Sequence, residues 1–148
     1  MEDKDISKII TNALQVNKDK LSENIKSIIM QMKKAFESNK KIIEQANSID
    51  QKNNNGFILD FNVIDNIFTD LKEENIFYGD VILSQKDENK NIIYGTQIMD
   101  YGNVIVITDG NPYITIEMAI RNIMAGNTTI FVNEGFMFGT NQLLIQII

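Results

Sequence analysis

Thr108, Asp109, Gly110 and Asn111 form a short polar run behind the β-branched stretch Val104-Ile105-Val106-Ile107 and directly ahead of Pro112. In layered α/β proteins the ends of strands are where ligands are bound, so these four residues are the candidates for lining a small-molecule pocket. Acid–base and metal chemistry have fewer openings. The sequence contains no cysteine and no histidine, which removes thiolate nucleophiles, disulfides, imidazole bases and the usual zinc ligands. Asp65, Asp70, Glu73 and Glu74 could resemble a metal cluster, but they surround an expected helix end, where capping and solvation explain them. Lys33, Lys34, Lys40 and Lys41 read as solvated helix faces.

The surroundings of the 108–111 run read as strand, helix, strand. Asn111 or Thr115 can cap a helix that carries Ile116, Ala119, Ile120, Ile123 and Met124 on one side, and Pro112 suits its first turn. Gly126 suits the left-handed stop. Thr128 to Val132 is the next strand, and so short a connection predicts a parallel crossover. The unbroken apolar character of 104–107 predicts a strand covered on both faces. Gly135 to Thr140 reads as a turn, followed by a last helix with Leu143, Leu144, Ile147 and Ile148 on its apolar side.

Upstream, Ile6, Ile9, Ile10, Ala13 and Leu14 predict a short amphipathic helix over about Lys4 to Gln15. Leu21, Ile25, Ile28, Ile29, Met32, Ala35, Phe36, Ile42, Ile43 and Ala46 give a longer helical pattern. Its stripe is too wide for a coiled-coil seam, and Asn39 interrupts it, so we read it as packed on its own domain. The polar stretch Asn47 to Gly56 reads as a surface loop and the best internal boundary. Asn62 can cap a helix burying Ile64, Ile67, Phe68 and Leu71 and ending near Glu74. Val81-Ile82-Leu83 and Ile92 to Met99 predict a hairpin around Gln85 to Lys90, either a solvated arm or an edge that recruits another subunit.

The expected fold class is therefore α/β: N-terminal helices, a β-hairpin arm, and the strand-helix-strand-helix start of a parallel Rossmann-like sheet. Its divisions are a helical segment over 1–50 and a partial nucleotide-binding-type domain over 57–148 with the arm at 79–99, together one folding unit. A sheet with two parallel strands reads as interrupted. The net charge of −6 disfavours nucleic acid. No apolar run reaches the roughly 18 residues of a membrane span, and no signal pattern opens the sequence, so the expected location is the cytoplasm without membrane attachment.

Lys18 to Ile148 resembles the N-terminal part of the aldehyde dehydrogenase superfamily, most closely its glutamate-5-semialdehyde dehydrogenase (γ-glutamyl phosphate reductase) branch. The resemblance is carried by Gly102-Asn103-Val104-Ile105-Val106-Ile107, Pro112 to Asn127, Thr140-Asn141 and Phe36-Glu37-Ser38-Asn39-Lys40-Lys41-Ile42. It implies an NAD- or NADP-dependent reaction through a cysteine on a second domain, beyond the equivalent of Ile148. The cofactor side departs from the family pattern. Val132 stands where the resemblance implies a basic residue, Glu134 enters the following turn, and Tyr113 occupies the place of an oxyanion-stabilising asparagine, with Asn111 two residues earlier.

Three functions are compatible with these residues. One is a truncated or split reductase-like cofactor-domain fragment without the catalytic cysteine, and therefore not catalytic alone. Another is a non-catalytic interaction or oligomerisation module. The third is a nucleotide-binding protein using Thr108, Asp109, Gly110 and Asn111, with Val132 opposing tight binding. The expected partners are further copies of the chain, a companion polypeptide or a full-length relative. No cofactor is expected to bind tightly.

Overall fold

A computed structural model describes residues 21–54, 56–73, 77–133, 135 and 137–148. The helix expected over Lys4 to Gln15 lies outside the described residues. Helix α1 (Leu21–Ser38) and helix α2 (Lys40–Asn54) meet at Asn39. There the Asn39 N–H is shared between the carbonyls of Ala35 and Phe36, both at 3.1 Å, and its own carbonyl accepts from Ile42 and Ile43. The amide side chain also donates to Ala35 O at 2.8 Å. The interruption is thus a single-residue jog with its backbone groups satisfied.

Helix α2 continues to Asn54, so the loop expected from Asn47 to Gly56 is largely absent. The reason is register. Ile43, Asn47 and Asp50 follow at i, i+4 and i+7, all three are buried, and the two polar members find partners inside the fold. Helix α3 (Phe61–Glu73) buries Ile64, Phe68 and Leu71 as expected. Its cap, however, is Asp60 rather than Asn62. The Asp60 carboxylate accepts the Asn62 N–H at 2.9 Å, and the phenol of Tyr113 accepts the Asp60 N–H at 2.7 Å.

Strands β1 (Val81–Lys86) and β2 (Ile92–Gln97) form an antiparallel hairpin with register shifts between Val81 and Leu83 and between Gln85 and Lys86. Asp87 organises the turn, accepting the N–H groups of Asn89 at 2.9 Å and Asn91 at 2.7 Å and the Asn91 side-chain amide at 3.1 Å. These bonds hold its carboxyl below the ordinary aspartate value, the Asn91 side chain contributing most. The base is clasped by Gly79 N–H to Ile98 O and Ile98 N–H to Asp80 O, and Tyr78 N–H reaches Met124 O at 2.8 Å.

Strands β3 (Asn103–Thr108) and β4 (Thr128–Asn133) pair in parallel, Asn103 opposite Thr128 through Thr108 opposite Asn133. Between them runs helix α4 (Pro112–Met124), capped by Asn111, whose side chain accepts the Tyr113 N–H. Thr115 is not the cap but a buried residue of the first turn. The helix stops at Gly126 with φ +75°, where the Tyr78 ring packs so closely that an added Cβ would stand 2.5 Å from its Cγ.

Helix α5 (Phe138–Ile147) begins inside the turn expected at Gly135 to Thr140, because its first turn is capped from elsewhere in the fold. Leu144 is fully buried and Leu143, Ile147 and Ile148 pack partly against the core.

The core draws on all five described helices: Ile25, Met32 and Phe36 of α1, Ile43 of α2, Ile64 and Phe68 of α3, Ile116 and Ile120 of α4, and Leu144 of α5. One expectation fails in the sheet. Val104, Val106 and Thr108 are half-buried to buried on the side of α4, but Ile105 and Ile107 are 61% and 74% exposed. Among the described residues the covered face of β3 is the one that packs on α4.

Candidate functional site

The four residues singled out by sequence do gather at one place, the adjoining C-terminal ends of β3 and β4. Each already serves its neighbours. Thr108 is buried, and its hydroxyl donates to the Asn133 amide oxygen at 2.8 Å, tying the two strand ends together. The Asp109 carboxylate accepts the Asn111 N–H at 3.2 Å on the surface. Gly110 is buried, and its carbonyl accepts from Asn141 Nδ2 at 2.8 Å. Asn111 spends its side chain on the cap of α4. Gly135, with φ +129°, lies so close to the Asp109 carbonyl that any side chain would collide with it. The loops after the two strands therefore close on each other.

What this arrangement can do chemically is limited. Its exposed ionisable group is the Asp109 carboxylate, whose charge repels a phosphate. Val132, at 38% exposure, supplies aliphatic surface only. Tyr113 is a packing residue, stacked on Phe57 at 5.6 Å and bonded to Asp60. Two buried polar atoms near these strands, Asn133 Nδ2 and Thr128 Oγ1, have no hydrogen-bond partner among the described residues. Glu134 is outside the described residues.

Sequence reasoning missed the polar residues that hold this region together. The Asp50 carboxylate accepts the Thr140 N–H and the Thr140 hydroxyl, each at 2.6 Å, and the Gly139 N–H at 3.3 Å. It thereby caps α5 from another helix. That is needed because Met137 at the N-cap position contributes no side-chain bond. Asn47 accepts the Leu59 N–H and donates to the Phe57 carbonyl, both at 3.1 Å. Asn141, fully buried, accepts from Thr115 Oγ1 at 2.6 Å and donates to the Gly110 and Met137 carbonyls. The available signal was positional: these polar residues sit where an apolar residue would continue the stripe.

Lys33, Lys40 and Asp65 make surface contacts, and Glu74 lies outside the described residues. Lys33 pairs with Asp65 at 3.5 Å with both side chains partly exposed, and Lys40 lies over the Phe61 ring at 4.5 Å. No group of three metal-ligating residues occurs among the described residues. A groove of about 450 Å³ lies between α1 and α3, lined in part by Lys26, Ile29, Lys34, Phe68 and Phe77, away from the strand ends. Among the described residues no helix is long and apolar enough to cross a membrane.

Fold and strand-end geometry together define the class: a partial Rossmann-like α/β unit preceded by helices and a hairpin arm. No protein-family model matches the sequence, and no curated protein matches it. Solved structures do. The γ-glutamyl phosphate reductase of Thermotoga maritima is 18% identical with a TM-score of 0.65, the match covering 93% of this chain and 35% of that one. The γ-glutamyl phosphate reductase of Saccharomyces cerevisiae is 20% identical with a TM-score of 0.65, over 91% of this chain and 36% of that one. The resemblance read from sequence is thus a resemblance of fold, and the chain spans about a third of the length of these reductases.

Proposed function

We propose that the chain is the cofactor-domain portion of a γ-glutamyl phosphate reductase-like oxidoreductase, acting in the cytoplasm as part of a larger assembly and not catalytic alone. The supporting observation is the one-sided coverage of the match, nearly all of this chain against about a third of each reductase. The missing chemistry agrees with it. The resemblance implies a cysteine that forms a thioester or thiohemiacetal with the substrate, and these 148 residues contain none. Nicotinamide nucleotide is the cofactor implied by the resemblance, but binding here is weak. Thr108, Gly110 and Asn111 are occupied by internal hydrogen bonds, and Asp109 and Val132 offer nothing to a phosphate.

Two measurements test this reading. In fluorescence titrations NADPH and NADH show no saturable binding below millimolar concentration, whereas a micromolar dissociation constant would restore the 108–111 run as a nucleotide site. Assayed alone with an aldehyde and NADP, the chain gives no turnover. A rate proportional to its own concentration would overturn the proposal.

A second reading, a non-catalytic interaction module, is favoured by the hairpin. Its strands pair with each other and make no comparably extensive contact with any other described element, while Val81, Tyr94 and Met99 are exposed on or beside it. An isolated two-stranded hairpin is marginal in water. Sedimentation distinguishes the two, since a module that works through self-association sediments as an oligomer.

A further inference from the structure

Residues 1–20 precede the described part of the chain, and within them Ile6, Ile9, Ile10, Ala13 and Leu14 recur at helical spacing over Lys4 to Gln15. A helix of only these twelve residues is marginal in water by itself. Such a stripe needs an apolar surface within reach.

Reach is set by the link. Residues 16–20 span at most about 17 Å, and α1 starts directly after them at Leu21. Connections of this length join neighbouring helices in compact proteins, and the path such a link dictates is a return along α1.

The groove between α1 and α3 lies on that path. Its apolar floor is Ile29, Phe68, Leu71 and Phe77, and Met30, 52% exposed, stands at its edge. Along α1 its lining runs from Lys26 to Glu37, about 17 Å of helix, which matches the length of a helix over Lys4 to Gln15. At about 450 Å³ it accommodates side chains from one face of a helix. The open face of the β3–β4 ladder is the competing surface, with Ile107 at 74% exposure. However, α1 packs on each of the other four described helices and makes no comparable contact with either strand.

We infer that the segment Lys4 to Gln15 docks as an amphipathic helix into the groove between α1 and α3 of its own chain, its apolar stripe on Ile29, Phe68, Leu71 and Phe77. Neither the groove nor this segment enters the reductase reading, which stands or falls on the nucleotide titration and the turnover assay.

The chain contains no cysteine, so an introduced pair reports on its own. With Ile10→Cys and Met30→Cys, a short bis-maleimide gives a cross-link within one chain, read from gel mobility and mass. Ile10→Cys with Ile107→Cys reacts at least about tenfold more slowly, because tethering raises the local concentration only at the docked position. Adding Ile6→Ser and Leu14→Ser to the Met30 pair slows it at least about tenfold, while the chain still unfolds cooperatively. Asn12→Ser, off the stripe, leaves the rate as it was. In the unmodified chain, backbone amides over 4–15 exchange at least about tenfold more slowly than in a synthetic peptide of residues 1–17.

Equal rates for the Met30 and Ile107 pairs overturn the inference, as does a faster Ile107 pair. So does a rate indifferent to the serine pair, equal slowing by Asn12→Ser, or peptide-like exchange over 4–15. A cross-link found only between two chains would assign the groove to another copy's segment and would also overturn it.

Discussion

Replacing Asp50 isolates the contact on which the start of α5 depends. Its carboxylate is 6% exposed and makes two bonds of 2.6 Å to fully buried Thr140, plus a longer one to Gly139. Asp50→Ala removes all three and leaves the Thr140 N–H without its acceptor. Hydrogen bonds to charged groups are worth about 1.5–3 kcal/mol each, and the longer contact adds little. A loss near 3 kcal/mol is expected, toward the low end of the summed bonds, because the Thr140 hydroxyl can turn to another acceptor.

Asp50→Asn keeps one acceptor oxygen for Thr140 but gives up the charge at the helix N-terminus and the acceptor of the longer Gly139 N–H contact, costing about 1 kcal/mol. In a protein of this size that corresponds to Tm decreases of about 9 °C and about 3 °C. Urea unfolding followed by circular dichroism measures both. A double-mutant cycle with Thr140→Val should show about 1 kcal/mol of coupling. Asp50→Ala costing under about 1 kcal/mol, or Asp50→Asn costing as much as Asp50→Ala, would refute the capping role.

Gly126→Ala, which combines a φ of +75° with contact against the Tyr78 ring, is expected to destabilise by more than about 1 kcal/mol, read from the urea midpoint. Asn141→Ala removes one acceptor and two donor bonds in a fully buried site; a loss of about 2–3 kcal/mol is expected, with faster amide exchange in 109–111. The depressed pKa of Asp87 means that its stabilisation of the hairpin turn is present above the ordinary aspartate value and is lost as pH falls through the lower folded value. NMR shifts of the Asn89 and Asn91 amides should therefore titrate with a midpoint below that of an unstructured aspartate, and Asp87→Asn should abolish the step.

The strand-helix-strand unit was legible because its punctuation is local: Asn111 and Pro112 start α4, Gly126 stops it, and both do so in the structure. From Asn47 to Asn54 composition points to a loop, but the helical register of Ile43, Asn47 and Asp50 decides the structure. Asn47 and Asp50 are polar yet face inward, and their partners are Phe57, Leu59 and Thr140, contacts of long sequence range in the case of Asp50. The same holds for Asn141, whose value lies in Thr115 and Gly110 far from it in sequence. Thr108 to Asn111 lie at the end of β3, where their place behind an apolar strand puts them. That their hydrogen-bonding groups are turned toward each other depends on Asn133, Gly135 and Asn141, which no local pattern connects to 108–111.

The clasp at Gly79 and Ile98 makes the hairpin an excursion that leaves the fold and re-enters it at nearly the same point. Such a segment is modular in the way a detachable handle is. Its length and tip can vary across generations, or be exchanged for a reporter peptide, while the stem and the helices behind it keep their geometry.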